Sequence, residues 1–390
     1  MTIGIDKIGF ATSHYVLKLQ DLAEARGVDP EKFSKGLLLN EISIAPLTED
    51  IVTLAASASN SILTDKEKEE IDMVIVATES GIDQSKAAAV FVHGLLGIQP
   101  FARSFEIKEA CYGATAALHY AKLHVENSPE SKVLVIASDI AKYGVGTPGE
   151  PTQGAGSVAM LITQNPRIMA FNNDNVAQTR DIMDFWRPNY SSTPYVNGMY
   201  STQQYLDCLT TTWDEYKKRY DWTMDDFAAI CFHLPYPKLA LKGLRKMMDK
   251  TLSKEKQDSL QENFDKSILY SQMIGNIYTG SLFLGLLSLL ENAETLKAGD
   301  KIALYSYGSG AVSEFFSGEL VEDYEAYLDK DRLSKLKQRT ALSVADYEKV
   351  FFEEVQLDES GSAQFAGYEH QDYALVEIID HQRRYSKVEK

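Results

Sequence analysis

Four residues of this 390-residue chain are of types that do chemistry, and each falls at a strand end or a helix start: Glu79, Cys111, His233 and Asn276. Cys111 lies in "EIKEACYGATAALHYAKLHV", where an acidic segment gives way to small residues at the start of an apolar helix. A lone cysteine there has two readings. Buried, it packs as a small hydrophobe; at the positive end of a helix, its thiolate is favoured and it becomes a nucleophile. Glu79 directly follows the apolar run "DMVIVAT". It either caps a loop or, beside an apolar layer, keeps a raised pKa suited to proton transfer near neutrality. His233 follows "AAICF" and is either a structural core histidine or a donor that polarises a carbonyl. Together the set supplies a nucleophile, a base and an electrophile donor. Gly113, Ala114, Ala116 and Ala117 let backbones approach Cys111 and leave room for an acyl group on its sulfur.

The elements that must position these residues are short and apolar. "DMVIVAT" (Asp72–Thr78), "KVLVIAS" (Lys132–Ser138), "GSVAMLIT" (Gly156–Thr163), "FAAICFHL" (Phe227–Leu234) and "KIALYSY" (Lys301–Tyr307) suit strands covered on both faces. "TEDIVTLAASASNSIL" predicts a helix with Thr48 as N-cap, and "SKAAAVFVHGLLG" and "GSLFLGLLSLLENA" predict buried helices. This alternation implies a layered α/β architecture. The halves echo each other. In the first, a strand ends at Glu79, a small-residue helix begins near Cys111, and a second strand ends near Asp139. In the second, the same order runs through His233, Asn276 and "SYGSG". The chain divides accordingly into residues 1–165 and 166–390. After Val321 the sequence turns charged and helical, with Ser343 and Asp346 as a capping pair. "DESGSAQFAG" predicts an exposed loop and "DYALVEIID" a final strand, both decorating the second half.

Composition excludes several classes. A net charge of −17, from 39 basic and 56 acidic residues, argues against nucleic acid as the main partner. Three dispersed cysteines, Cys111, Cys208 and Cys231, form neither a disulfide framework nor zinc spacing, which suits a reducing cytoplasm. The N-terminal "MTIGIDKIGFATSHY" alternates like a strand rather than a signal peptide. The longest apolar stretch, "SLFLGLLSLL", is too short to span a bilayer, so no membrane is expected. "GEPTQGAG" is glycine-rich but lacks P-loop spacing.

Six strings in order, "EACYGATAAL", "GEPTQGAGSVAM", "DFWRP", "FHLPYPK", "GNIYTGSL" and "SYGSGAV", resemble the 3-hydroxy-3-methylglutaryl-CoA synthase family in its compact bacterial form. The resemblance runs from the first strand to about Val350 and fades beyond it. It implies a thiolase-like fold, a duplicated α-β-α-β-α five-layer sandwich, usually homodimeric. It implies an acyltransferase of the mevalonate pathway, with acetyl-CoA and acetoacetyl-CoA as substrates and no cofactor or metal. On matching positions, Cys111 would carry the acetyl group and Glu79 would remove a methyl proton from it. His233 and Asn276 would hold and polarise acetoacetyl-CoA. Tyr143 in "AKYGVG" and Asp184 match pocket positions, and Lys238 and Lys242 match a basic segment that meets CoA. The backbone N–H groups of Cys111 and Ser309 are the oxyanion donors this chemistry requires. Three departures affect loop shape: Thr147-Pro148 in a turn more often rich in glycine, Asn197 where an acidic residue is common, and no Met-Gly after Lys238.

Two rivals remain. A β-ketoacyl-acyl carrier protein synthase III-type enzyme shares the fold and a Cys-His-Asn set but makes its carbanion by decarboxylation, so Glu79 discriminates. Thiolases need a second reactive cysteine, and neither Cys208 nor Cys231 lies in such a motif. A non-catalytic acyl-CoA-binding scaffold would have no need of Cys111 or His233, and both are present.

Overall fold

The computed structural model describes residues 2–191, 193–248 and 251–389. Each apolar run forms its strand: Ile71–Ala77, Lys132–Ala141, Gly154–Gln164, Ala229–Phe232 and Lys301–Gly308. Because strand side chains alternate, a doubly covered strand feeds two different cores. Met73 and Ile75 point into one apolar cluster, and Val74 and Val76 into another. Likewise Cys231 and Ile302 face the middle of the molecule, while Ile230, Phe232, Ala303 and Tyr305 face outward.

Three apolar clusters therefore alternate with two sheet halves, giving α-β-α-β-α layers. The middle layer holds the helices Gly113–Asn127 and Ser281–Asn292. The latter is buried from Ser281 to Glu291, so the "SLFLGLLSLL" run is a core helix. Among the described residues no helix is long and apolar enough to cross a membrane. The sheet halves join edge to edge into one ten-stranded mixed sheet, through antiparallel pairing of Met169–Phe171 with both Ile3–Thr12 and Val312–Leu320. In the first half the strand Ile71–Ala77, which stops two residues before Glu79, runs parallel to Lys132–Ala141, which continues past Asp139 rather than ending there, so their carboxyl ends open on the same side. In the second, Ala229–Phe232 and Lys301–Gly308 are also parallel.

Local expectations were met unevenly. Ser343 caps the helix Val344–Phe352 by accepting from Asp346 N. Asp50, not Thr48, caps Ile51–Asn60, accepting from Val52 N at 2.9 Å and Thr53 N at 3.2 Å. Thr48 instead lies buried, its carbonyl taken by Leu375 N at 2.9 Å. The charged tract after Val321 is broken by a short strand, Thr340–Ala341, which pairs with Tyr15 and Val16. The expected final strand, Tyr373–Ile379, is one arm of a hairpin with Gln382–Lys387. Its turn residues Asp380 and His381 both have positive φ, as a two-residue hairpin turn requires, although neither is glycine.

Gly308 shows how tightly the halves meet. A Cβ there would lie 2.7 Å from the Glu109 carbonyl oxygen and from Tyr112 N and Cβ. Gly308→Ala is expected to destabilise the fold by about 1–3 kcal/mol, measured by denaturant unfolding. Unchanged stability would show that this contact yields easily.

Candidate active site

Cys111 sits two residues before the helix Gly113–Asn127, in a loop pinned from several sides. Tyr112 Oη donates to Glu314 at 2.6 Å, Thr279 Oγ1 accepts from Ala114 N at 2.7 Å, and Thr115 bonds Ser306 at 2.8 Å. All three partners belong to the second half. Ala110, immediately before the cysteine, is held at φ 41°, a strained backbone region for a side chain with a Cβ. The thiol donates to Glu79 Oε1 at 3.3 Å. The Cys111 thiol and the Glu79 carboxyl are thus in direct contact.

Glu79 is placed by a residue that the sequence reading located only as a strand end. Asp139 is fully buried and accepts from Thr78 Oγ1, Glu79 N, Ser80 N and Ser80 Oγ at 2.8–3.0 Å, and from Thr279 N at 3.4 Å. A carboxylate with that many donors is the better place for a buried negative charge. Glu79 lacks such solvation. Burial, and then the charge of Asp139, push it up to about 8; burial raises Asp139 too, but its donors keep it the lower of the two, so Glu79 holds its proton to the higher pH. The signal for Asp139 was visible in "KVLVIASDIA", a carboxylate inside a buried strand.

The expectation of a helix-stabilised thiolate fails. Burial and the carboxylates of Glu79, Asp139 and Asp184 hold the Cys111 thiol well above its ordinary range. The helix begins too late to oppose them, and Thr279 already accepts from its Ala114 N–H. Cys208 and Cys231 are buried free thiols, both raised by burial.

Asn276 and Tyr143 meet at 2.8 Å, Nδ2 donating to the phenol oxygen. Asn276 Oδ1 is fixed by Tyr278 N and Ser281 Oγ, both at 2.8 Å, so the amide is oriented before any ligand arrives. Tyr143, Tyr278 and Phe185 form an aromatic trio with ring centroids 5.9–6.1 Å apart. Asp184 accepts from Tyr307 Oη at 2.8 Å and from Gly310 N at 2.9 Å, which orients the turn carrying Ser309. His233 is tied in through its backbone, its N–H donating to the Tyr305 carbonyl at 2.7 Å. Its Nδ1 is buried with no hydrogen-bond partner, and burial drives its pKa down to about 3. The imidazole is therefore neutral at physiological pH, and it lies behind the wall of the cavity over Glu79 rather than in it.

A cavity of about 890 Å³ opens over Glu79 and Ala110, walled also by Ser309, Phe185 and Arg187. Arg187, which the sequence reading left out, donates to the Glu79 carbonyl. Lys238 and Lys242 lie on the helix Pro237–Met247, outside this wall; Lys108, Lys142, Arg180 and Arg383 supply its other cations. Asn197 caps the helix Gly198–Tyr220, accepting from Tyr200 N, a role an acidic residue also fills. Among the described residues no cluster of three or more His, Cys, Asp or Glu is placed to hold a metal.

Residues 2–167 match the family model for the N-terminal part of hydroxymethylglutaryl-coenzyme A synthase. Residues 175–263 and 245–385 match that for its C-terminal part, well past Val350, where the sequence resemblance fades. The hydroxymethylglutaryl-CoA synthase of Enterococcus faecalis is 54% identical over 360 residues, spanning 92% of this chain and 94% of that one. The polyketide biosynthesis 3-hydroxy-3-methylglutaryl-ACP synthase of Bacillus subtilis is 32% identical over 374 residues, spanning 90% and 88%. A crystal structure of an HMG-CoA synthase complexed with CoA superposes with a TM-score of 0.98 at 68% identity, covering all of both chains.

The raised Glu79 pKa has a consequence for stability. Between its unfolded value near 4.5 and about 8, the folded state binds a proton that the unfolded chain has lost, so stability falls as pH rises. Glu79→Gln removes that slope. Its thermal stability should match wild type near pH 4.5 and exceed it increasingly toward pH 8, as followed by calorimetry. A gain that shrinks as pH rises would contradict the assignment.

Proposed function

The chain belongs to the hydroxymethylglutaryl-CoA synthase family, whose members are acyltransferases, and on that premise we propose that it condenses acetyl-CoA with acetoacetyl-CoA to give 3-hydroxy-3-methylglutaryl-CoA and CoA. The observation that carries this reading is the Cys111–Glu79 contact, a thiol donating to a carboxyl whose pKa is raised into the working range. In the ionised enzyme Glu79 accepts the Cys111 proton as sulfur attacks the acetyl thioester, then gives it to the departing CoA sulfur. The acetyl group now sits on Cys111, with its methyl beside the regenerated carboxylate. Glu79 takes a methyl proton, and the resulting enolate adds to the C3 carbonyl of acetoacetyl-CoA. The same proton returns to the new alkoxide. Water then cleaves the cysteine thioester, freeing the thiol and the product carboxylate.

The other residues hold and polarise. Neutral His233 donates to the ketone oxygen without adding charge, and the Tyr143–Asn276 pair shapes the acceptor site. The backbone N–H groups of Cys111 and Ser309 receive the thioester oxyanion. Asp184 orients the Ser309 turn, and Lys238 and Lys242 meet CoA phosphates from solvent. The substrates are CoA thioesters, and the steps call on no resident cofactor. Residues 1–165 and 166–390 form the duplicated halves, a division supported by their shared order of strand end, helix start and strand end.

We further propose that the enzyme is a cytoplasmic homodimer serving the mevalonate pathway. Strand Arg103–Ile107 ends the sheet with one side unpaired, and Phe101, Val90, Tyr120 and Leu123 are exposed near it. An open edge flanked by apolar residues is suited to a second copy. Light scattering should return twice the 43.5 kDa chain mass; a monomer at assay concentration would remove this proposal.

The reaction is tested by following loss of acetoacetyl enolate absorbance and release of free thiol. Glu79→Gln should slow condensation by at least ~10²-fold, and acetyl-Cys111 preformed on it should no longer exchange methyl protons with solvent deuterium. Acceptance of a malonyl thioester with little dependence on Glu79 would instead identify a decarboxylating synthase. Peptide mass mapping should place labelled acetyl on Cys111; labelling of Cys208 or Cys231 would overturn the nucleophile assignment.

A further inference from the structure

The string "GEPTQGAG" has no part in the chemistry above, and the helix Val344–Phe352 lies at the limit of the sequence resemblance. The structure joins them. Tyr347, buried at 1% exposure, accepts from Gln153 Nε2 at 2.9 Å and donates to Glu150 Oε1 at 3.2 Å. Gln153 Oε1 accepts from the backbone N–H groups of Tyr143 at 2.8 Å and Gly144 at 3.2 Å. Glu150 Oε2 accepts from Gly146 N at 3.0 Å. Both side chains are themselves buried, so each hydrogen bond replaces one that water would otherwise supply. Arg26 neutralises Glu150 through two hydrogen bonds of 3.0 and 2.7 Å, and reaches Glu348 on the Tyr347 helix at 2.7 Å.

The same segment packs on the other side of the pair. Asn276 N donates to the Thr152 carbonyl at 3.0 Å, and a Cβ on Gly275 would lie 1.8 Å from the Gln153 carbonyl oxygen. Residues 152–153 therefore touch the backbone of both members of the Tyr143–Asn276 pair, with Tyr347 behind them.

We propose that Tyr347 is a positioning residue for this site: its hydroxyl fixes Gln153 and Glu150, which hold the Tyr143–Gly146 backbone and so set the Tyr143–Asn276 pair. The kinetic part of this inference rests on the role given above to that pair in holding acetoacetyl-CoA. Tyr347 touches neither Cys111 nor Glu79 and acts only through the Tyr143–Asn276 pair, so acetoacetyl-CoA binding should respond to it more than the acetylation half-reaction.

Tyr347→Phe keeps the ring and removes one hydroxyl. Amide exchange at Tyr143 and Gly144 should quicken three- to tenfold, the scale of one lost hydrogen bond. The KM for acetoacetyl-CoA should rise by a similar factor while the rate of Cys111 acetylation changes less. Arg26→Lys, which loses the two-pronged grip on Glu150, should quicken exchange at Gly146 instead. The exchange readout needs no activity, so failure of the wild type to condense its substrates would refute the proposed reaction and leave the positioning network to be judged by exchange alone. Unchanged exchange at all three amides would overturn the proposal. So would uniformly faster exchange across the protein with an unchanged acetoacetyl-CoA KM, since that marks a purely structural role.

Discussion

The site depends on two neighbouring carboxyl groups, Asp139 fully buried and Glu79 half-buried at the cavity wall. Placing them on adjacent strands is unfavourable unless one of them is well solvated by the protein or keeps its proton. The structure uses both solutions. Asp139 collects five donors from Thr78, Glu79, Ser80 and Thr279, and so ionises first of the two, although burial raises it as well. Glu79, left with the Cys111 thiol as its side-chain partner, titrates late. A carboxyl that can hold and release a proton near neutrality is what a cysteine thioester enolisation needs.

Everything around this pair keeps it from relaxing. The second half reaches across the middle layer to grip the cysteine loop through Thr279, Ser306 and Glu314. Gly308 presses its bare Cα against that loop, and Arg187 holds the Glu79 carbonyl from the cavity side. Duplication makes this possible. Each half presents its strand ends on one side, and the site forms where the two sets face each other. His233 shows the opposite electrostatic effect, an imidazole kept neutral by burial.

Much of this was legible in sequence. The doubly buried strands announced themselves as unbroken apolar runs, and the core helix Ser281–Asn292 as a run too short for a membrane. Cys111, Glu79, His233 and Asn276 stand out by type and place, and the raised pKa of Glu79 follows from its apolar surroundings, but the protonation of Cys111 is not legible there. That depends on which carboxylates fold in from elsewhere, and Asp139 and Asp184 are 28 and 73 residues from Cys111. The thiolate reading failed for this reason. Capping failed at Thr48 because Asp50 was two residues nearer the helix, and the C-terminal hairpin was missed because Asp380-His381 lacks the glycine that usually marks such a turn. The cations lining the cavity were equally hidden, since Lys108, Lys142, Arg180, Arg187 and Arg383 come from separate segments.

Glu79 holds its proton to a higher pH than its neighbour Asp139. Difference infrared spectroscopy of wild type against Glu79→Gln reports a protonated carboxyl directly, with no substrate present. A carboxylic acid band assignable to Glu79 is expected to persist at neutral pH and to bleach with a midpoint near 8. A Glu79 that is already ionised at pH 5 would contradict it.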